Sequence, residues 1–106
     1  MVGTSTLTIV APVIPAAPTS LSGSKVGKKV QLTWTDNATN ETGFYVQYSL
    51  NGGTTWTTLA TLAPKSGTGP MSYTTGPLSR GSYSFQVIAF NGTGLSNPTN
   101  KVTINL

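Results

Sequence analysis

Apolar and polar residues alternate in short runs along most of this chain, and Gly, Pro, Asn and Ser separate the runs. Val30, Leu32 and Trp34, for example, alternate with Gln31 and Thr33. A β-strand directs successive side chains to opposite faces, so this run has one apolar face and one polar face. Helical spacing of apolar residues is not sustained anywhere. The pattern predicts an all-β chain.

The next run has the same organisation. Phe44, Val46 and Tyr48 share one face, and Tyr45 and Gln47 face the other way. The letters Asn-Gly that follow at residues 51–52 predict a hairpin with a tight turn, because both residue types tolerate positive φ angles. The chain then returns through TTWTTLATL.

Three further segments complete the predicted strands. The polar stretch PKSGTGP at residues 64–70 interrupts pairing, and a short strand follows near residues 71–75. A longer strand has Tyr83, Phe85, Val87 and Ala89 on one face, and the last strand has Val102, Ile104 and Leu106 on one face. Strands that each have one apolar face bury these faces together, so we predict two sheets packed face to face.

The N-terminal residues follow a different pattern. STLTIV at residues 5–10 alternates like a strand, and the proline-rich APVIPAAP that follows resists pairing and stiffens the chain. STLTIV also resembles NKVTIN at residues 100–105, as expected if it closes a preceding similar domain; chance similarity is the alternative. We therefore divide the chain into residues 1–14, a linker or closing strand of a preceding domain, and a domain of residues 15–106.

Charge and cysteine content exclude several classes of function. The net charge is +4, because only Asp36 and Glu41 oppose six basic residues, and Cys is absent. No disulfide or thiolate metal ligand is available. The basic residues lack the dense stripe with interleaved aromatics that nucleic-acid binding requires. No apolar run approaches the roughly 20 residues of a membrane span. We predict no nucleic-acid partner, no membrane insertion and no cofactor.

From residue 15 to residue 106 the chain resembles a fibronectin type III domain. The segments that carry the resemblance are, in order, APTSL, VQLTW, ETGFYVQYS, RGSYSFQVIAFNGTGLS and VTINL. NETGFYVQYSLNGGTTW resembles bacterial and archaeal members more than animal ones. The resemblance implies an immunoglobulin-like, seven-stranded antiparallel β-sandwich.

The same resemblance implies structural roles for three residues. Tyr83 corresponds to the tyrosine corner, whose hydroxyl bonds back to the main chain near residues 78–80. Leu78 precedes that corner, and Trp34 is the tryptophan of the second strand. We expect these three residues to stabilise the fold and not to bind a ligand.

Most enzyme chemistry is excluded by the side chains present. Without His and Cys, the commonest general bases, the thiolate nucleophile and the usual zinc ligands are missing. Asp36 and Glu41 lie on one loop, TDNATNETG, and not across a cleft as in a two-carboxylate glycosidase. Calcium binding by the oxygens of Asp36, Asn37, Asn40 and Glu41 stays an alternative to ordinary turn chemistry, although we predict no metal.

Trp56 is the candidate ligand-binding residue. In NGGTTWTTL its ring either packs on the rim of the sheet or lies open as a sugar-stacking platform, with the outward-facing Tyr45 as a second ring. The loop NGTG at residues 91–94 lacks the Arg-Gly-Asp adhesion tripeptide that certain animal members have in the corresponding loop. KVGKK at residues 25–29 is predicted to be a solvated loop.

Three Asn-x-Thr sequons, at Asn37, Asn40 and Asn91, are potential glycan acceptors in a host that has the machinery.

From the composition, the family resemblance and the missing catalytic groups together, we predict a non-catalytic extracellular spacer or protein-interaction module of a larger secreted or cell-surface protein. Its partners would be neighbouring domains, a polysaccharide or another surface protein. The alternatives are a carbohydrate-binding module that uses Trp56 and Tyr45, and self-assembly through sheet edges or STLTIV.

Overall fold

The computed structural model describes residues 13–106, which form a two-sheet antiparallel β-sandwich. The strands are β1 (Thr19–Val26), β2 (Lys29–Asp36), β3 (Gly43–Ser49), β4 (Thr57–Leu62), β5 (Gly69–Thr74), β6 (Ser82–Asn91), β7 (Gly94–Leu95) and β8 (Val102–Asn105). One sheet has the order β1-β2-β5. The other has the order β4-β3-β6-β7, with β8 also paired to β6. The predicted fold class is confirmed.

Strands β7 and β8 are two pieces of one edge strand, which gives the sandwich seven strands. β7 pairs with residues 90–91 of β6, and β8 pairs with residues 82–85. Between them, Ser96 and Thr99 continue the pairing. Their amides donate to the carbonyls of Ala89 and Val87, and their hydroxyls accept from the amides of the same two residues, at 2.8–3.0 Å. A side-chain oxygen therefore replaces a strand carbonyl where the edge strand is interrupted.

Thr75 repeats this arrangement just after β5. Its amide donates to the carbonyl of Val30 at 2.9 Å, and its hydroxyl accepts from the amide of Val30 at 3.0 Å. In all three cases the hydroxyl also donates to the carbonyl of the following residue, at 2.7–2.9 Å. The abundant Ser and Thr of this chain thus satisfy buried backbone groups that regular pairing leaves open.

The core lies between the two sheets and contains the alternating residues that the sequence predicts. Trp34 is 2% exposed, and its ring meets that of Phe44 edge to face with centroids 6.1 Å apart. The buried apolar side chains from both sheets form one cluster: Leu21, Val30, Leu32, Trp34, Phe44, Val46, Tyr83, Phe85, Val87 and Ala89. Tyr48, Val102, Ile104 and Leu106 are half-buried and pack against it.

The connection from β5 to β6 forms a corner that two hydrogen bonds hold. The hydroxyl of Tyr83 donates to the carbonyl of Ser79 at 2.9 Å, within the range that the family resemblance implies. The amide of Leu78 donates to the carbonyl of Lys28 at 2.8 Å, and the Leu78 side chain packs on the core. The corner thereby joins the second sheet to the β1–β2 turn of the first.

The hairpin between β3 and β4 is present, but the predicted tight turn at residues 51–52 is wrong. Seven residues, 50–56, connect the strands, and positive φ falls on Gly52 and Gly53 and not on Asn51. Side chains shape this longer loop. The hydroxyl of Ser49 donates to Asn51 Oδ1 at 2.6 Å and accepts from the amide of Gly53 at 2.9 Å. Asn51 Oδ1 also accepts from the amide of Thr55 at 3.0 Å, so Asn51 acts through its side chain.

The predicted linker or closing strand of residues 1–14, including STLTIV, lies almost entirely outside the described residues, and that boundary stays a prediction. Val13 and Ile14 are described and exposed. Within residues 13–106 no helix is long and apolar enough to cross a membrane.

Candidate functional site

Trp56 and Tyr45, the predicted sugar-stacking pair, lie at different levels of the β3–β4 hairpin. Tyr45 pairs with Thr61, whereas Trp56 directly precedes Thr57, which pairs with Tyr48. Five residue steps along β4 at roughly 3.3 Å each separate the two levels by on the order of 15 Å. The structure does not bring the two rings together into one platform, and sugar binding by either ring stays a prediction.

The ring of Trp56 is half-buried and lies against the hairpin loop. It lies over Gly53, where a Cβ would be 3.2 Å from Trp56 Cζ2 and 3.4 Å from the stem of Lys101. The ammonium of Lys101 donates to the carbonyl of Gly52 at 2.7 Å, which holds the lysine across the hairpin loop. The loop backbone and the lysine stem therefore cover part of the indole.

The ring of Tyr45 stacks on the ring of Phe90, a residue that the sequence pattern did not single out. The two centroids are 4.2 Å apart and the planes differ by 16°. Phe90 lies across Gly43, its register partner, where a Cβ would be 2.9 Å from the ring and 2.5 Å from the carbonyl oxygen of Leu62. Tyr45 therefore has an aromatic neighbour on the adjacent strand, and only the register of β3 against β6 brings the two together.

Asp36 and Glu41, the chain's two acidic side chains, are both buried, at 0% and 9% exposure. Asp36 Oδ1 accepts from the amide of Ala38 at 2.9 Å, and Glu41 Oε2 accepts from the amide of Lys65 at 3.2 Å. Among the described residues, the second oxygens, Asp36 Oδ2 and Glu41 Oε1, are buried without a hydrogen-bond partner. The two carboxyl groups are close enough for the charge of Glu41 to act on Asp36.

The pKa of Asp36 is raised from 3.8 to about 6, and burial is the largest cause. The neighbouring Glu41 carboxyl contributes to this rise in the pKa of Asp36, whereas the Ala38 amide and the Lys65 cation act to lower it. The physical cause is the loss of water around a charge, together with a second acid close by. Asp36 therefore stays protonated to a higher pH under the β2–β3 loop than a solvated aspartate does.

The calcium alternative required oxygens from the two acids and from Asn37 and Asn40. In the described part of the chain, the amide nitrogens, and not the oxygens, have partners: Asn37 Nδ2 donates to the carbonyl of Ala17 at 3.0 Å, and Asn40 Nδ2 donates to the carbonyl of Val13 at 3.0 Å. Within residues 13–106, no three Asp, Glu, His or Cys side chains come together. Calcium binding by the oxygens of this loop stays the alternative that the sequence left open.

Three asparagines instead bind the N-terminal segment, residues 13–19. Asn37 Nδ2 also donates to the hydroxyl of Thr19 at 2.9 Å, and Asn91 Nδ2 donates to the carbonyl of Val13 at 2.9 Å. The carbonyl of Val13 thus accepts from both Asn40 and Asn91, which lie on different loops. We refer to Asn37, Asn40 and Asn91 as the asparagine cluster. It fixes the path by which the chain approaches β1.

The asparagine cluster consists of the three residues that begin Asn-x-Thr sequons. A glycan attached at Nδ2 would compete with the hydrogen bonds that this atom makes to the N-terminal segment. The sequence did not predict that these asparagines bind the N-terminal segment. One signal was present, because asparagines are concentrated in two loops of a chain whose N-terminal stretch is rich in proline. The loop at residues 91–94 is a turn in which Asn91 Oδ1 accepts from the amides of Thr93 and Gly94, at 2.8 and 3.2 Å.

The fold occurs in several solved structures. A multidomain segment of titin matches with a TM-score of 0.67 and 26% identity over 87% of this chain and 32% of that chain. A fibronectin type III domain of human fibronectin type III domain containing protein 3 matches with a TM-score of 0.67 and 22% identity, over 91% and 89% of the two chains. An Fn3-like protein from Clostridium thermocellum matches with a TM-score of 0.63 and 25% identity, over 89% and 92%.

The chain spans about a third of the titin segment, in which the matching domain sits among neighbouring domains. No family model and no curated protein sequence matches the chain. The sheet order, the corner at Tyr83 and these structural matches agree with one another. Residues 13–106 therefore form a domain with the fibronectin type III fold.

Proposed function

We propose that this chain is a non-catalytic spacer module of a larger extracellular or cell-surface protein. It would hold the domains on its two sides at a fixed separation and direction. The observation that carries the proposal is that the two ends of the domain lie at opposite ends of β6, and that the N-terminal end is held by the asparagine cluster.

The separation of the ends follows from the pairing of β6. At one end of this strand, Asn91 binds the carbonyl of Val13. At the other end, Leu106 exchanges two main-chain hydrogen bonds with Gly81, at 2.8 and 3.1 Å. Ten residues, Ser82–Asn91, lie between these contacts, which corresponds to about 30 Å at roughly 3.3 Å per residue.

The direction of the N-terminal segment is also held. Pro15 and Pro18 are buried, and proline restricts the backbone to extended conformations. The asparagine cluster supplies hydrogen bonds from two loops to the carbonyls of Val13 and Ala17. A segment that is stiff and bound at several points transmits its direction to whatever precedes it, as a spacer requires.

An extracellular location is part of the proposal. It is supported by the composition, since charged residues are 8% of the chain and hydroxyl groups replace charges in its polar chemistry. Ser96, Thr99 and Thr75 show that these hydroxyls also stabilise strand ends without any disulfide.

Distance measurement between two spin labels tests the fixed geometry. The chain has no cysteine, so V13C/N105C places one label at each end without further changes. Only the main-chain carbonyl of Val13 enters the asparagine cluster, and its side chain is exposed. We expect a narrow distribution centred at about 30 Å, because the β6 pairing sets the separation.

The variant N40A/N91A in the same labelled background removes both donors to Val13, and we expect it to broaden the distribution. N97A, which removes an exposed amide on the β7–β8 connection, is the control and should leave the width unchanged. A parent distribution already as broad as that of N40A/N91A would overturn the proposal of a fixed geometry.

A further inference from the structure

The structure separates the charges of this chain. Both acidic side chains are buried together under the β2–β3 loop, so the ionic side chains that meet solvent are basic. Four of the six basic residues, Lys25, Lys28, Lys29 and Arg80, are exposed at the opposite end of the sandwich, around the β1–β2 turn and the Tyr83 corner. No carboxylate side chain lies at that end to neutralise them.

A cleft of about 420 Å³ lies among these basic residues. The residues that line it are Lys25, Gly27, Lys28, Leu78, Ser79, Arg80 and Leu106. Three of its lining side chains are cationic, and Leu78 and Leu106 supply apolar surface. We refer to this feature as the basic cleft.

The walls of the basic cleft are held in place by the fold. The hydrogen bond from Leu78 to Lys28 joins the two walls directly, and the Tyr83 hydroxyl holds the carbonyl of Ser79. Leu106 is held by its two hydrogen bonds to Gly81. A rigid cleft lowers the cost of ordering its lining residues when a ligand binds.

We propose that the basic cleft binds acidic polysaccharide, that is, a sugar polymer with carboxylate or sulfate groups. Lysine and arginine attract such groups without competition from acidic side chains. A polymer contacts several cations at once, which compensates for the small contribution of each exposed charge. The basic cleft lies at the opposite end of the domain from the asparagine cluster. Ligand binding at the cleft is therefore independent of the proposed spacer function.

The lining favours a sugar over a nucleic acid. Single-stranded nucleic acids bind basic grooves in which aromatic rings stack on the bases. None of the residues that line the basic cleft is aromatic. Its apolar surface is aliphatic and stands beside the hydroxyl of Ser79, a combination suited to sugar C–H and O–H groups.

Binding to polygalacturonate, measured by affinity electrophoresis and isothermal titration calorimetry on the whole chain, tests the proposal. We expect binding at about 0.02 M NaCl that weakens strongly at about 0.3 M, because salt screens exposed charges. Neutral dextran should not bind. Dextran sulfate should bind as well, whereas free galacturonate and inorganic sulfate should bind far more weakly because they lack repeated charges.

Two double variants with the same change in net charge localise the site. K28Q/R80Q removes two cations from the basic cleft, and K65Q/K101Q removes two cations elsewhere. We expect at least about tenfold weaker binding for the first and less than about twofold for the second, since screened attraction falls steeply with distance. Thermal unfolding of both variants checks that the fold is retained.

Three outcomes would overturn the proposal. Equal weakening by the two variants would mean that net charge alone attracts the polymer. Binding of single-stranded poly(dT) as tight as that of polygalacturonate would favour a nucleic-acid ligand. Absence of polygalacturonate and dextran sulfate binding at low salt would remove the site altogether. None of these outcomes bears on the spin-label distances, which test the spacer function separately.

Discussion

The phenol of Tyr83 donates a 2.9 Å hydrogen bond to the main-chain carbonyl of Ser79, four residues earlier in the chain. Tyr83 is 8% exposed and belongs to the core, whereas Ser79 is exposed and lines the basic cleft. This one bond connects the start of the central strand β6 to a surface that we propose to bind a ligand. The consequence is that core stability and the shape of the cleft are linked.

Replacing Tyr83 by Phe removes this bond and keeps the ring. We expect Y83F to lower the free energy of unfolding by about 1 kcal/mol, the net value of a typical intramolecular hydrogen bond. Urea denaturation measures the change. Y73F, which alters a half-buried phenol on β5, is the control. An unchanged unfolding free energy in Y83F would show that the corner does not depend on this bond.

Thr99 gives a second prediction, because its hydroxyl is the acceptor for the buried amide of Val87. T99V has nearly the same shape but leaves that amide without an acceptor, and we expect a loss of about 1 to 3 kcal/mol. Hydrogen exchange should show faster exchange at Val87. T61V on the exposed face of β4 is the matched control, with an expected change within about 0.5 kcal/mol. Equal effects of the two variants would contradict the acceptor role.

Gly43 tests the packing under Phe90. A Cβ there would be 2.5 Å from the carbonyl oxygen of Leu62 and 2.9 Å from the Phe90 ring, so backbone or ring has to move. We expect G43A to cost about 1 to 3 kcal/mol in unfolding free energy, as overpacking commonly does.

The control for Gly43 is Gly76, where a Cβ would meet no atom within 4 Å. G76A should be neutral or stabilise by a few tenths of a kcal/mol, through the lower entropy of the unfolded chain. If G43A and G76A unfold at the same denaturant concentration, the close approach of Phe90 to the backbone is not required for stability.

The Asp36–Glu41 contact predicts an unusual dependence of stability on pH. The pKa of Asp36 is raised from 3.8 to about 6, so the folded state holds a proton that the unfolded state releases between these values. This contribution is fully present below about pH 4 and is lost as the pH rises to about 6, with a total of roughly 2 to 3 kcal/mol. Glu41 is the only other acidic side chain of the sequence, so the slope is assigned to Asp36.

The variant D36N tests the assignment. Asparagine keeps an oxygen for the Ala38 amide and carries no charge, so burial at this position no longer depends on protonation. We expect the stability of D36N to be nearly independent of pH between about 4 and 6, and to exceed that of the parent at pH 7. Urea denaturation across this pH range measures both. A parent more stable at pH 7 than at pH 4 would contradict the raised pKa of Asp36.

Much of the fold is predictable from the sequence because strand alternation is a local property. Val30, Leu32 and Trp34 are buried as the pattern predicts, and so are Tyr83, Phe85, Val87 and Ala89. The hairpin turn is the exception. Asn-Gly is compatible with a tight turn, but the side chains of Ser49 and Asn51 form hydrogen bonds that stabilise a longer loop. A prediction based on φ preferences alone does not include such side-chain bonds.

The sites depend on which strands become neighbours. The sequence suggested that Tyr45 and Trp56 form one sugar-stacking platform, because both lie on one hairpin. The register of β3 against β6 instead stacks the ring of Tyr45 on Phe90. Likewise, the sequons at Asn37, Asn40 and Asn91 carry no sign that the three amides converge on the N-terminal segment, since 51 residues separate Asn40 from Asn91.

The sequence by itself determined the all-β class, the inner faces of the strands and the corner tyrosine, because side-chain alternation and a family pattern are written in consecutive residues. Only the tertiary structure decided where the charges lie. Folding brings Asp36 and Glu41 into one buried contact and gathers Lys25, Lys28 and Arg80 around a cleft at the other end. Burial and long-range pairing are properties of the packed sheets, and a net charge of +4 does not reveal them.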